Sequence, residues 1–171
     1  MKFYRQLIES IIDIPRKTYA PGVFDNADTE NPKLKQKVLD MIDKQIKEFE
    51  KLAPVVSTSL IGSILTKRYR NDADLDINVL FDVADEDKEA MSEKLREIVR
   101  EVNGKNVPGS VHPVNYFVIV DRSVYDKANK MADDVFDIVH DRFEKRTQSK
   151  PFDIEDYMLS LIHISEPTRQ A

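Results

Sequence analysis

Asp74 and Asp76 stand two residues apart inside an apolar run, ten residues after a Gly-Ser pair that closes an earlier apolar run: SLIGSILTKRYRNDADLDINVLF, residues 59–81. In a strand, residues i and i+2 point to the same face, so the two carboxylates would stand side by side. Such a pair suits Mg²⁺, which takes oxygen ligands and completes its shell with waters and substrate phosphates. Gly62 lets the backbone come close to a phosphate, and Ser63 adds a hydroxyl donor. Lys67, Arg68 and Arg70 lie in the spacer. They either face a triphosphate or a nucleic-acid acceptor, or form a basic turn that balances the aspartates.

Two other readings of the acidic cluster compete. Asp72, Asp74 and Asp76 match the first three ligand positions of an EF-hand loop, but Ile77 stands where that loop needs Gly and Val83 where it needs Glu. A solvated turn leading into a strand would also be rich in Asp. Against that reading, Asp76 lies between Leu75 and the apolar run INVLF. A carboxylate inside so apolar a strand is costly unless something pairs with it, and a metal would be such a partner.

The surrounding periodicity supplies elements to hold these residues. Phe3, Leu7, Ile8, Ile11 and Ile12 predict a short amphipathic helix over residues 3–13. The segment IPRKTYAPGVFDNADTENP reads as a long, solvated loop, from which Arg16 and Lys17 could reach toward the site. Leu34, Val38, Met41, Ile42, Ile46, Phe49 and Leu52 form one stripe of a helix over 33–52, ended by Pro54. Strands are predicted for 55–61, 74–81 and 112–120, with a helix over 87–102 between the last two. Beyond Asp121, SVYDKANKMADD is expected to be helical and VFDIVHDRF to form a further strand. Periodicity alone supports an α/β or α+β domain.

The residues Ile61, Gly62, Ser63, then Asp74, Leu75, Asp76 and Ile77 resemble the signature of the DNA polymerase β-type nucleotidyltransferase superfamily. The resemblance implies an α+β nucleotidyltransferase fold, a mixed β-sheet flanked by helices. It also implies transfer of a nucleoside monophosphate from an NTP to a hydroxyl with Mg²⁺ or Mn²⁺. Asp74 and Asp76 would hold the metal, while Gly62, Ser63 and Lys67 would face the nucleotide phosphates. Most members place a third carboxylate on the third strand; here Asn115 occupies that place in the catalytic set, where it can coordinate Mg²⁺ through its carbonyl but brings no charge and cannot take a proton. Asp121, at the far end of that strand, and Asp137 are the other acids considered. Deprotonation of the acceptor then falls to another acid or to substrate, or the domain is a catalytically weak nucleotide- or RNA-binding module. The acceptor stays open between a nucleic-acid 3′ end, a small molecule and a protein hydroxyl.

Composition narrows the class. The 171 residues are 41% hydrophobic and 33% charged, with a net charge of −5, so broad nonspecific nucleic-acid binding is not favoured. There is no cysteine, which excludes disulfides and thiolate metal sites and fits a reducing cytoplasm. No membrane span or secretory signal is expected, because no apolar stretch is long enough and the N-terminal segment carries acids.

The last residues stand apart. Leu159 to Arg169, LSLIHISEPTR, resembles the translation of a transposon-end sequencing-library adapter. The expected organisation is therefore an N-terminal helix and loop over 1–32, a nucleotidyltransferase core over 33–158 that continues in the natural gene, and a non-native tail over 159–171 that is set aside from fold reasoning, His163 included. Deleting everything after Met158 is expected to leave the thermal midpoint and cooperativity within about 0.5 kcal/mol of the full chain. A loss of several kcal/mol in thermal unfolding would show instead that Leu159, Leu161 and Ile162 are genuine core residues.

Overall fold

The structure is a computed structural model that describes residues 15–147, together with Glu155, Met158, Leu159 and Ile162, which are helical. The helix expected over 3–13 and most of the tail lie outside the described residues. Leu159 and Ile162 are both more than half exposed.

Strands β1 (Phe24–Asp25) and β2 (Lys33–Leu34) form a small antiparallel pair ahead of helix α1 (Gln36–Glu50). Strand β3 (Val55–Ile61) follows, then β4 (Leu75–Phe81), helix α2 (Lys88–Val102), the short β5 (Lys105–Asn106), β6 (Pro113–Ile119), helix α3 (Arg122–Met131), β7 (Val135–Asp137) and β8 (Arg142–Lys145). The main sheet is ordered β5-β6-β4-β3-β7-β8. Only the β4–β6 pair is parallel, with α2 in the crossover; the other pairs are antiparallel. The domain is thus α+β with a mixed sheet, as the motif resemblance implies.

The two faces of the sheet differ in kind. Leu75, Ile77, Val79 and Phe81 of β4, with Val114 and Tyr116 of β6 and Leu60 of β3, point into the main core. Val38, Ile42 and Phe49 of α1 and Leu95 and Val99 of α2 bury their stripes in it. Phe49 sits edge-on to Phe81 and Tyr116, with ring centroids 5.8 and 5.5 Å away. Alternation sends Asp76 and Asn78 of β4, Asn115 and Phe117 of β6, and Ser59 of β3 to the opposite face. Part of that face is covered by α3 through a polar contact. The side-chain oxygen of Asn129 accepts from the buried Ser59 hydroxyl at 2.9 Å and from the buried Asn78 amide at 3.4 Å.

Two segments differ from expectation. The loop before α1 is not simply solvated: Tyr19, Ala20, Val23 and Phe24 are buried in the core, and Phe24 stacks edge-on against Phe136 of β7. Four apolar residues clustered between proline and Asx turns are enough to dock this segment. Residues 135–143 form a hairpin rather than one strand. The Asp137 carboxylate accepts from the backbone N–H groups of Val139 and His140, and Asp141 adopts a left-handed backbone (φ 50°), which together reverse the chain. Among the described residues, no helix is long and apolar enough to cross a membrane.

The Asn129 contact gives a stability test. Asn129→Ala leaves the Ser59 hydroxyl and the Asn78 amide buried without that acceptor, and is expected to lower stability by about 1–3 kcal/mol in chemical denaturation. A change below the measurement error would mean that α3 is held by Tyr125 and apolar packing alone.

Candidate active site

The site forms where β3 ends and β4 begins. Ile61 pairs with Asp76, so the turn after β3 emerges beside the Asp76 carboxylate. Gly62 makes that approach possible. Its backbone lies at φ 99°, ψ −179°, a region open almost only to glycine, and a Cβ there would sit 3.3 Å from Asp76 Oδ2. A side chain at 62 would cost on the order of 1–3 kcal/mol in backbone strain alone. Ser63 is exposed and opens a short 3₁₀ turn, Ser63–Leu65, whose Ile64 and Leu65 are buried. The Thr66 hydroxyl donates to the Ser63 carbonyl at 2.8 Å and accepts the Arg68 N–H at 3.0 Å, fixing the start of the spacer.

Asp74 precedes β4 by one residue and is exposed, whereas Asp76 is partly buried. Asn115, paired with Asp76 across the parallel β4–β6 ladder, donates from Nδ2 to Asp74 Oδ2 at 2.8 Å. Its carbonyl oxygen turns the other way and accepts the Gly104 N–H at 3.1 Å. A backbone N–H can only donate, so this contact fixes the amide orientation. Asn115 therefore brackets the carboxylates with its NH₂ group and presents no ligand oxygen to them.

The two aspartates form no ion pair among the described residues. Burial raises the Asp76 carboxyl above the ordinary carboxylate range, and the neighbouring charge of Asp74 raises it further; hydrogen bonding from Asn115 opposes the shift. Two carboxylates with unrelieved repulsion fit a divalent cation. Among the described residues no three acidic or histidine side chains converge to make a full cage. The chain thus offers two ligands of a shell that waters and phosphate oxygens would complete, which matches the coordination habits of Mg²⁺.

The other predicted residues are placed as follows. Lys67 lies with its ammonium 5.5 Å from the Tyr19 ring centroid, and Arg70 pairs loosely with Asp72 at 3.9 Å. Residues 75–77 lie in a strand, with Ile77 buried, so the segment is not a calcium loop. Asp121 is not brought to the site: it follows the end of β6, about 20 Å along the strand from Asn115, and lies 3.8 Å from the Lys88 ammonium. Asp137 pairs with Ser59, two strands away from β4, and its carboxylate is engaged by the His140 ring at 2.6 Å. Burial pushes that carboxyl up, but the ring and backbone donors of His140 and the Val139 N–H outweigh it, so the net shift is downward.

Several supporting residues escape motif reading. The buried His112 ring donates from Nδ1 to the carbonyl of Ala73, the residue before Asp74, at 2.8 Å. Arg16 runs its backbone N–H to the Lys67 carbonyl and its guanidinium to the Tyr69 carbonyl at 3.1 Å and to the Asn71 side chain, and it stacks 4.3 Å above the Tyr69 ring. The Asn103 side chain brackets the Tyr116 backbone, donating to its carbonyl at 3.2 Å and accepting its N–H at 2.8 Å. The Asn-Gly pair at 103–104 is a visible turn signal, and Arg16 reaches toward the site's spacer as its place in the loop allowed; His112 has no signal, since its partner is a backbone atom far away in sequence.

A family model described as a nucleotidyltransferase domain matches residues 42–158, a stretch that contains Gly62, Ser63, Asp74, Asp76 and Asn115. No curated protein and no solved structure matches the chain.

The raised Asp76 carboxyl has a testable sign. A carboxyl whose folded value exceeds its unfolded value stabilises the fold only at pH below the ordinary carboxylate range, and that contribution is lost as pH rises through the raised value. At neutral pH the ionised side chain opposes folding. Asp76→Asn is expected to raise the melting temperature of the metal-free protein at pH 7, with the gain shrinking as pH falls toward 4. A lower melting temperature at pH 7 in differential scanning calorimetry would count against the unrelieved repulsion.

Proposed function

The chain belongs to the nucleotidyltransferase domain family, and on that premise we propose that it moves a nucleoside monophosphate from an NTP to a hydroxyl acceptor with Mg²⁺ or Mn²⁺. The observation that supports this reading best is the convergence of Asp76 on the Gly62 backbone with Asp74 beside it. Asp74 and Asp76 hold the divalent cation, which when bound neutralises charge on the phosphate oxygens. The bare Gly62 backbone lets the β- and γ-phosphates lie close to the chain, and the exposed Ser63 hydroxyl donates to them. The Lys67 ammonium, 5.5 Å from the Tyr19 ring centroid, would supply a cation to the same anion. The protein's part is positioning and electrostatic stabilisation of an in-line displacement at the α-phosphorus.

A second reading is a nucleotide- or RNA-binding module with a degenerate site. One observation favours it: Asn115 cannot take a proton, and its oxygen is held by Gly104. Release of pyrophosphate from NTP distinguishes the two readings, because a binding module holds the nucleotide without turnover.

Both readings share one requirement. NTP binding is expected to depend on Mg²⁺ or Mn²⁺, and Asp76→Asn to remove most of that dependence while the fold persists. Isothermal titration with and without EDTA checks this; equal NTP affinity in both conditions, in wild type and variant, would exclude metal-bridged binding.

A further inference from the structure

We infer that Phe117 forms the acceptor side of the site and stacks on a planar ring carried beside the attacking hydroxyl. The inference rests on the nucleotidyltransferase reading above. Across the sheet, β6, β4 and β3 are neighbours, so Asp76 is flanked by Asn115 on one side and by Ile61, leading into Gly62, on the other. An in-line displacement places the attacking and leaving oxygens on opposite sides of the phosphorus. With the phosphates at Gly62 and Ser63, the leaving group departs on the β3 side, and the acceptor must come from the β6 side.

The wall on that side is unusual for a protein that handles phosphates. Asn115 is neutral, and the next residue outward on the same face, about 7 Å along the strand, is Phe117. Phe117 pairs with Asn78, which is only 4% exposed because α3 and Asn129 lie over it, yet Phe117 itself is 48% exposed. The aromatic face beside the carboxylates is thus left uncovered while its strand neighbour is sealed. A ring at this place offers π-stacking and apolar contact, and neither charge nor hydrogen bonds. It favours an acceptor with an aromatic ring, either a nucleobase or the side group of a small aromatic alcohol, over a sugar or polyol lacking one.

The chain contains no tryptophan, so Phe117→Trp introduces a single fluorophore that can be excited apart from the tyrosines. The full chain, with Mg²⁺ and a non-hydrolysable ATP analogue bound, is titrated with adenosine, tyrosinamide and ribose. Adenosine or tyrosinamide is expected to quench the fluorescence and ribose to leave it unchanged; the stronger of the two ring-bearing probes identifies the source of the ring. In calorimetry, Phe117→Ala is expected to weaken the quenching probe by roughly 5- to 150-fold, the range of base–aromatic stacking. Quenching by neither ring, or equally by ribose, overturns the inference. Quenching by the ATP analogue alone also overturns it, since Phe117 would then hold the base of the donor nucleotide. Failure of the wild type to bind the analogue with Mg²⁺, seen before any acceptor probe is added, is instead a failure of the nucleotidyltransferase reading.

Discussion

Two carboxylates held close together repel each other, and the neighbourhood of Asp74 and Asp76 keeps them close without cancelling that repulsion. No lysine or arginine among the described residues pairs with either one, although basic residues fill the adjoining spacer. Asn115 hydrogen-bonds to Asp74 with a neutral group, Gly104 holds Asn115 in that orientation, and His112 anchors the backbone just before Asp74. A cation in place of any of these would relax the pair. The Gly62 backbone belongs to the same arrangement: glycine adopts it freely and brings a turn against Asp76 that a side chain would strain and crowd.

The sheet can carry this tension because its other face is heavily buried. Phe49, Phe81 and Tyr116 interlock on the core side of the same strands that present Asp76 and Asn115. Burial of that apolar surface, at about 25 cal/mol per Å², dominates the local energetics and holds the strands in register whatever happens on the site face. A slip of one residue would send Asp76 into the core and Ile77 to the site, so register and function are fixed by the same hydrophobic alternation.

Much of this was legible in the chain, and the residues show where legibility ends. Val55–Ile61 and Leu75–Phe81 alternate or run apolar over a full strand length, and α1 and α2 carry regular stripes, so these elements stand close to their predicted limits. The predicted start of α1 was too early because Lys33 and Leu34 pair with β1, a non-local contact that periodicity does not register. The docking of Tyr19 to Phe24 and the hairpin at 135–145 depend on single residues, an Asx carboxylate and a few buried rings. The Gly-Ser and Asp-x-Asp halves of the site could be read as a motif. The direction in which Asn115 points could not, since it is set by Gly104, eleven residues earlier in the chain.

The Arg16 contacts have a consequence for how the molecule opens. The spacer between β3 and β4 is tied to a segment about fifty residues away in sequence through the Arg16 backbone and guanidinium and through Tyr69, which is buried in the core with its hydroxyl donating to the Tyr19 carbonyl at 3.5 Å. Closing so large a loop costs entropy, which the burial of Tyr69 offsets, so the middle of the spacer opens only with the core beneath it. Thr66 holds the front of the spacer at the Ser63 carbonyl, and the exposed residues 70–72 are the part with least to hold them. Amide hydrogen exchange would then be fastest at residues 70–72 and slow at Tyr69. The turn at Gly62 and the two carboxylates thus share one rigid frame, and only the exposed crest of the segment that joins them is left to yield.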